Sequence, residues 1–372
     1  MHILIAADSF KDALDAPGVC HAIERGILAA MPHTRIRCFP LADGGEGTAQ
    51  ILTFHSGGQQ VQCMVKDPLF RPVQVSYGLS GNGETAFIEM AQASGLQLLE
   101  SKARNPLYTT TFGTGELIAD ALQRGVRHIV LGIGGSATND GGMGMAAALG
   151  LRFLDADGLL LEPVGQNLGK VQRIAGRLKI NARVEVICDV DNPLCGPTGA
   201  AQVYAPQKGA DEAAVAELDA GLAHFAELLR EYSGRENAHL PGAGAAGGLG
   251  AGAMAFLNAQ MQRGIEAVME YTDFETALTG IDLIVTGEGK IDHQTNHGKL
   301  IHGICEMAKA HGIPVIAFCG ALEASTSDIR ELGLLAAFSI SNKPQSLAEA
   351  LAQTEIGLEQ AAAQVFRVVA GK

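Results

Sequence analysis

The stretch HIVLGIGGSATNDGGMGMAAALG, His128 to Gly150, decides how the chain is read. A short apolar run, His128 to Leu131, breaks into six glycines interleaved with Ser136, Thr138, Asn139 and Asp140, and an Ala/Met/Leu helix opens after them. Glycine lets backbone approach a ligand with no Cβ in the way, and the first turn of a helix offers free N–H groups to negative charge. An ordinary strand-to-helix turn accounts for a glycine or two, not for this density beside hydroxyl and amide side chains. The pattern points to a phosphate-cradling loop made by Gly134, Gly135, Ser136, Thr138, Asn139 and Asp140, with Asp140 also a candidate metal ligand.

Outward from this loop, buried-strand runs alternate with amphipathic helices, the pattern of a parallel α/β sheet. Ile3–Ala7 and Thr34–Pro40 are expected strands around a helix with Pro17 in its first turn, Val19, Ile23, Ile27 and Met31 on one face, and Pro32 at its end. The alternation returns at Ile281–Thr286, Ile313–Cys319 and Leu335–Ile340, with helices expected over Lys299–His311 and Ser346–Val369. Between these halves, Val61–Glu89 alternates like antiparallel or mixed strands. A strand at Val184–Cys188 and a helix at Asp211–Tyr232 follow, the latter with a core ridge of Leu218, Leu222, Phe225 and Leu229. The Gly/Ala segment Pro241–Gly252 is expected to be a loop leading into a helix over Ala253–Arg263. At 372 residues the chain exceeds one usual core. The simplest assembly is a discontinuous parallel-sheet domain, residues 1–64 and 281–372, with residues 65–280 inserted as a second, mixed α/β domain.

Composition removes several classes of function. Lys plus Arg at 27 against Asp plus Glu at 40 gives a net charge of −13, a poor match to nucleic acid or an anionic membrane surface. An anionic small molecule would be repelled at long range, so its site must concentrate donors and cations locally. The seven cysteines are scattered with no Cys-x-x-Cys, as in a reducing compartment. HILIAAD at the start is too short for a signal peptide, and every apolar run is broken before the roughly 18 residues a membrane span needs. The expectation is a soluble, cytoplasmic protein.

In open α/β sheets, ligands bind beyond the carboxyl ends of the strands. Four such ends carry chemistry: ADSFKD with Asp8, Ser9 and Lys11; LADGGEGT with Asp43, Gly44, Glu46 and Thr48; DVDNPLCG with Asp189, Asp191 and Asn192; and VTGEGKIDHQT with Glu288, Lys290, Asp292 and Thr295. Taken singly, each could simply cap a helix or make a turn. Together they supply what phosphoryl transfer needs: backbone donors, carboxylates for Mg²⁺, a lysine for developing charge and an acid to orient the attacking hydroxyl. The P-loop, protein-kinase and Gly-x-Ser-x-Gly signatures are absent. Gly132, Gly134 and Ala137 spell the G-x-G-x-x-A variant, which keeps an NAD-dependent hydroxy-acid dehydrogenase as an alternative. His293 and His297 stand four apart beside Asp292, but no Glu follows His293 and Gly298 makes a loop as natural as a zinc-binding helix.

Taken in order, DSFKDAL (8–14), PLADGGEGT (40–48), DPLFRPV (67–73), TFGTGELI (111–118), GIGGSATNDGGMGMAAALG (132–150), DVDNPLCGPTGAAQVYAPQKGA (189–210), PGAGAAGGLGAG (241–252) and TGEGKIDHQTNHGK (286–299) resemble the type I glycerate kinases over essentially the whole chain. One departure is DALDAPG after the first strand, where a Ser-rich helix entry is expected. The resemblance implies ATP-dependent phosphorylation of D-glycerate at the 2-hydroxyl, with Mg²⁺, in carbohydrate-acid catabolism, by a monomer or homodimer of two α/β domains, one flavodoxin-like. On this basis Asp189, Lys290 and Asp8 are the expected catalytic residues, Asp189 being the favoured base. Ser9, Lys11, Arg71, Asp43 and Gly44 would bind glycerate, and Asp189, Asp191 and Glu46 the metal. Lys208 would join the glycine loop on ATP. Arg71 or Lys290, with Lys11 and Lys208 in reserve, would answer the substrate carboxylate. Transfer to the 3-hydroxyl and a non-catalytic glycerate sensor remain as alternatives, though no basic patch supports the sensor's DNA-binding module.

Overall fold

Burial sorts the strands of this chain into central and edge positions. The computed structural model describes residues 1–292 and 300–371. In chain order the described strands are β1 (His2–Ile5), β2 (Arg35–Cys38), β3 (Gln59–Lys66), β4 (Pro72–Leu79), β5 (Thr85–Glu89), β6 (His128–Gly132), β7 (Arg152–Leu154), β8 (Arg173–Ala175), β9 (Arg183–Ile187), β10 (Gln260–Gln262), β11 (Leu283–Ile291), β12 (Val315–Leu322) and β13 (Ala336–Ser339). The chain divides into two compact units, residues 1–43 with 265–372 and residues 44–264.

In the first unit, Ile3, Leu4 and Ile5 of β1 are wholly buried, which requires cover on both faces of the sheet. β2 alternates exposed and half-buried side chains, as an edge strand does. The sheet is parallel throughout, in the order β13-β12-β11-β1-β2. Counted within the unit, this is 2-1-3-4-5, the flavodoxin-like doubly wound order, whose reversal point lies between β1 and β11. The helix Ala16–Ala30 starts where Asp15 accepts the Gly18 N–H at 2.9 Å, with Pro17 in its first turn. Its buried face, Val19, Ile23 and Ile27, lines the core of this unit. Its Gly26 lies so close to the helix Thr354–Val369 that a Cβ would fall 2.3 Å from the Glu359 carbonyl oxygen.

In the second unit, a six-stranded mixed sheet runs β10-β9-β6-β5-β4-β3. β3, β4 and β5 form an antiparallel meander, whereas β5, β6, β9 and β10 are parallel. The helix Glu212–Ser233 sends Leu218, Leu222, Phe225 and Leu229 into the core, where Phe225 stacks obliquely on Phe153 and Phe256.

Several expectations are corrected. The Gly/Ala segment is not a loop ahead of a helix over Ala253–Arg263. The helix is Ala245–Leu257, kinked where Ala246, Gly247 and Gly248 take left-handed backbone, and it stops at left-handed Asn258 before β10 begins. The expected helix Ser346–Val369 is two helices, Leu347–Ala352 and Thr354–Val369, parted at Gln353. β11 runs on past Thr286 to Ile291, so Glu288 and Lys290 stand in a strand paired with β12 rather than in a loop. The division between units falls at 43/44 and 264/265, where the sequence suggests 64/65 and 280/281. β3 goes with the meander because it pairs with β4 along its whole length, and Phe274 goes with the first unit because it stacks on Phe39.

Gly26→Val should destabilise the chain by about 1–3 kcal/mol through overpacking at the crossing helices. Urea unfolding should show a lower midpoint with an unchanged slope; an unaltered midpoint would mean the crossing is not tight.

Candidate active site

The glycine loop begins where β6 ends at Gly132. Gly134 and Gly135 are exposed, and a Cβ on Gly134 would meet nothing within 4 Å, so their backbone borders open space. The rest of the loop is anchored. The Leu96 N–H donates to the Gly135 carbonyl at 2.9 Å, and the Ala137 N–H to the Ser94 carbonyl at 2.9 Å.

Beneath the loop lies Lys208, 1% exposed. Its Nζ donates to Ser136 Oγ and to the Thr138 carbonyl, both at 2.7 Å. Burial pushes its pKa down to about 7, against the pull of the Asp140 carboxylate. Asp140 is itself fully buried. Its Oδ2 accepts from the Thr111 N–H at 2.7 Å, Thr111 Oγ1 at 2.8 Å and the Gly144 N–H at 3.1 Å, and its Oδ1 accepts from the Gly142 N–H at 3.2 Å. Burial raises the Asp140 pKa, and these donors act the other way. Asp140 therefore serves the loop from within and does not present oxygens to a ligand or metal, as the sequence had suggested. Thr138 Oγ1 and both side-chain polar atoms of Asn139 are buried and make no hydrogen bond. Buried polar groups seldom stay unpaired, so these atoms mark the loop as a place of stored polarity. The kinked helix entry closes on the same backbone: a Cβ on left-handed Gly247 would sit 2.1 Å from the Thr138 carbonyl oxygen.

The loop after β9 holds Asp189 and Asp191. Asp189 Oδ1 accepts the Gly264 N–H at 2.8 Å. Gly44, with φ +101°, approaches so closely that a Cβ would lie 2.4 Å from Gly264 Cα and 3.1 Å from Asp189 Oδ2. Asp191 is exposed, with Arg263 Nη2 at 3.8 Å, and Glu46 is exposed. The expected metal set does not converge: among the described residues, Asp189, Asp191 and Glu46 do not bring their carboxylate oxygens within 4.8 Å of one another. Arg71 is committed to Asp67 at 2.5 Å, and Asp67 Oδ1 also accepts the N–H groups of Leu69 and Arg71, which shapes the β3–β4 turn.

In the first unit, the carboxyl ends of β1, β2 and β11 bring acids together at the sheet's reversal point. The Asp8 N–H donates to the Gly287 carbonyl at 3.0 Å, and Asp8 Oδ1 accepts from the N–H and Oγ of Ser9 at 2.6 and 3.2 Å. Burial, with repulsion from Asp43 and Glu288, lifts the Asp8 pKa to about 7. Lys11 is exposed a few residues on. Lys290 is engaged by Glu323 at 2.8 Å and Asp292 at 3.4 Å, which raise its pKa. His293, Thr295 and His297 lie outside the described residues.

The sequence reading missed the roles of Thr111 and Glu89. Thr111 holds Asp140, and its Oγ1 also accepts the Met145 N–H at 2.8 Å. Glu89, buried at the end of β5, accepts the Ala49 N–H at 2.9 Å at the start of the helix Thr48–His55. The one available signal was an acid closing an otherwise apolar strand, TAFIE. Among the described residues, no helix is long and apolar enough to cross a membrane.

Known proteins are similar to this chain over almost its whole length. Residues 3–370 match the sequence profile of the glycerate kinase family. A glycerate kinase of Halalkalibacterium halodurans is 48% identical over 370 residues, covering 98% of this chain and 97% of its own. A glycerate 2-kinase of Escherichia coli is 44% identical over 355 residues, covering 94% and 93%. A crystal structure from Salmonella typhimurium, described as a candidate glycerate kinase 2, superposes with a TM-score of 0.89 at 42% identity, covering 100% of this chain and 98% of that one. The chain is thus an enzyme, a kinase acting on a small molecule. It belongs to the glycerate kinase family. The dehydrogenase and sensor readings fall with that result.

The ionisation of Lys208 has a signed consequence. The unfolded chain protonates this lysine below about pH 10.5 and the folded chain only below about 7, so stability rises with pH across that window. The difference in unfolding free energy between wild type and Lys208→Met should therefore grow from pH 7 to pH 10. A constant difference would show that Lys208 ionises normally.

Proposed function

We propose that this kinase transfers the terminal phosphoryl group of ATP to the 2-hydroxyl of D-glycerate. The observation that carries the reading is the pairing of exposed glycine backbone, Gly134 and Gly135, with a buried lysine fixed behind it. Backbone N–H groups take up phosphate oxygens without a Cβ in the way, and a cation in a low-dielectric setting stabilises charge that develops there more strongly than one in water. The choice of the 2-hydroxyl rests on the resemblance and on the relative named glycerate 2-kinase.

Asp8 is the proton acceptor in this reading, in place of Asp189. A general base works best with a pKa near the operating pH, and Asp8 is held at about 7. Asp189 is tied to the Gly264 N–H and orders the loop after β9. As Asp8 removes the hydroxyl proton, the substrate oxygen bonds to the terminal phosphorus, the bond from that phosphorus to the bridging oxygen breaks, and ADP leaves. Ser9 and the exposed Lys11, which follow Asp8 in the chain, would receive the glycerate carboxylate; Arg71 and Lys290 are occupied by acids. Mg²⁺ would supply charge neutralisation on the phosphates. The hard oxygens of Asp189, Asp191 and Glu46 suit it chemically but do not form a cage. They fit the way Mg²⁺ is usually held, by nucleotide phosphates, water and one or two carboxylates. The family setting suggests glycerate breakdown in the cytoplasm.

Wild type should show an acid limb in its kcat/KM profile near pH 7, activity falling as Asp8 protonates, and Asp8→Asn should remove that limb and lower kcat by about 10²–10⁴-fold. Full turnover by the variant would end the assignment. Phosphorus NMR of the product made from D-glycerate and Mg-ATP should show 2-phosphoglycerate; the 3-phosphate would overturn the regiochemistry alone.

A further inference from the structure

A group of side chains outside the kinase machinery combines three kinds of metal donor. His21 and Glu24 stand at i and i+3 on the helix Ala16–Ala30, so they share one face, and Cys38 ends β2 beside it. One ligand atom from each, an imidazole nitrogen, a carboxylate oxygen and the thiol sulfur, lies within 4.8 Å of both others. No other group of His, Cys, Asp and Glu among the described residues achieves this. His21 is exposed and the other two are half-buried, so an ion can enter from solvent. The Cys38 thiol is hydrogen-bonded to Glu24, which leaves a proton where a cation would bridge the same two atoms.

We propose that His21, Glu24 and Cys38 form a binding site for a zinc-class divalent cation that ties the helix Ala16–Ala30 to the edge strand β2. Mixed N, O and S donors select Zn²⁺ and its neighbours over Mg²⁺ or Ca²⁺, which take oxygen alone. Zinc–ligand bonds of about 2.0–2.3 Å put donors on a tetrahedron roughly 3.5 Å apart. The observed donors, all within 4.8 Å of one another, need close by no more than about 1 Å. On binding, the thiol S–H bond is exchanged for a sulfur–metal bond and the proton leaves to water. Three protein ligands leave a fourth position for water.

The test uses the full chain, stripped of metal with a chelator and titrated with Co²⁺ as a spectroscopic stand-in for Zn²⁺. One equivalent should bind with a thiolate-to-cobalt charge-transfer band, and Zn²⁺ should displace it and raise the melting temperature. Cys38→Ser should lose both the band and the stabilisation, and His21→Ala, a surface change that leaves the core intact, should weaken binding at least about tenfold. Metal-stripped His21→Ala should phosphorylate glycerate like metal-stripped wild type. Absence of the band in wild type, or its survival in Cys38→Ser on another of the seven cysteines, would overturn the proposal.

Discussion

The larger unit depends on a buried pair of charges. Lys208 and Asp140 are both removed from water, and isolated buried charges are too costly to persist. Each is therefore surrounded by partners: two oxygens of the loop for the lysine, and four donors from Thr111, Gly142 and Gly144 for the carboxylate. Satisfying these charges dictates the course of residues 136–144. Truncating Asp140 would remove the nearby negative charge that favours the protonated Lys208, as well as loosen the loop. The kinked entry of the helix Ala245–Leu257 follows from the same demand, because only left-handed glycine can lie against the Thr138 carbonyl.

The smaller unit works by topology. A 2-1-3-4-5 order leaves a crevice at the carboxyl ends of β1 and β11, since their flanking connections depart in opposite directions. Asp8 after β1, Asp43 after β2 and Glu288 within β11 lie close enough that repulsion adds to burial in lifting the Asp8 pKa. Thr286, within the buried stretch of β11, adds a buried hydroxyl with no hydrogen bond. The acidity of this edge is thus a product of strand order.

Much of this was legible in the chain because it depends on local rules. The strand-glycine-helix reading of His128–Gly150 held, as did the parallel sheet built from both chain ends, because Gly and β-branched runs declare themselves by spacing. Pro241–Gly252 misled for a physical reason. Its glycines serve close packing of a helix on the Thr138–Gly142 backbone, and composition alone cannot tell a packing glycine from a loop glycine. Glu288 and Lys290 were taken for loop residues because β11 carries glycine at 287 and 289, and only pairing with β12 keeps that stretch extended. Asp140 looked like a ligand because its polarity was visible and its burial was not. Thr111 opens the motif TFGTGELI, but its role comes from lying opposite Asp140, which the sequence does not show.

A net charge of −13 sets the last constraint. Surface lysines draw anions only at short range against that background field, for exposed charges are screened within about 10 Å and countered by nearby acids, as Lys290 is by Glu323 and Asp292. A lysine withdrawn from water acts differently. Its field is weakly screened, its position is fixed by two hydrogen bonds, and the protein stores the cost as a depressed pKa. Negative charge arriving at the loop would relieve that cost by restoring the lysine's proton. The attraction is therefore greatest for a ligand bearing concentrated negative charge at the loop itself, and small for an anion elsewhere on the surface. Burying one cation beneath open glycine backbone thus confines the positive field of an acidic protein to one place, the loop itself.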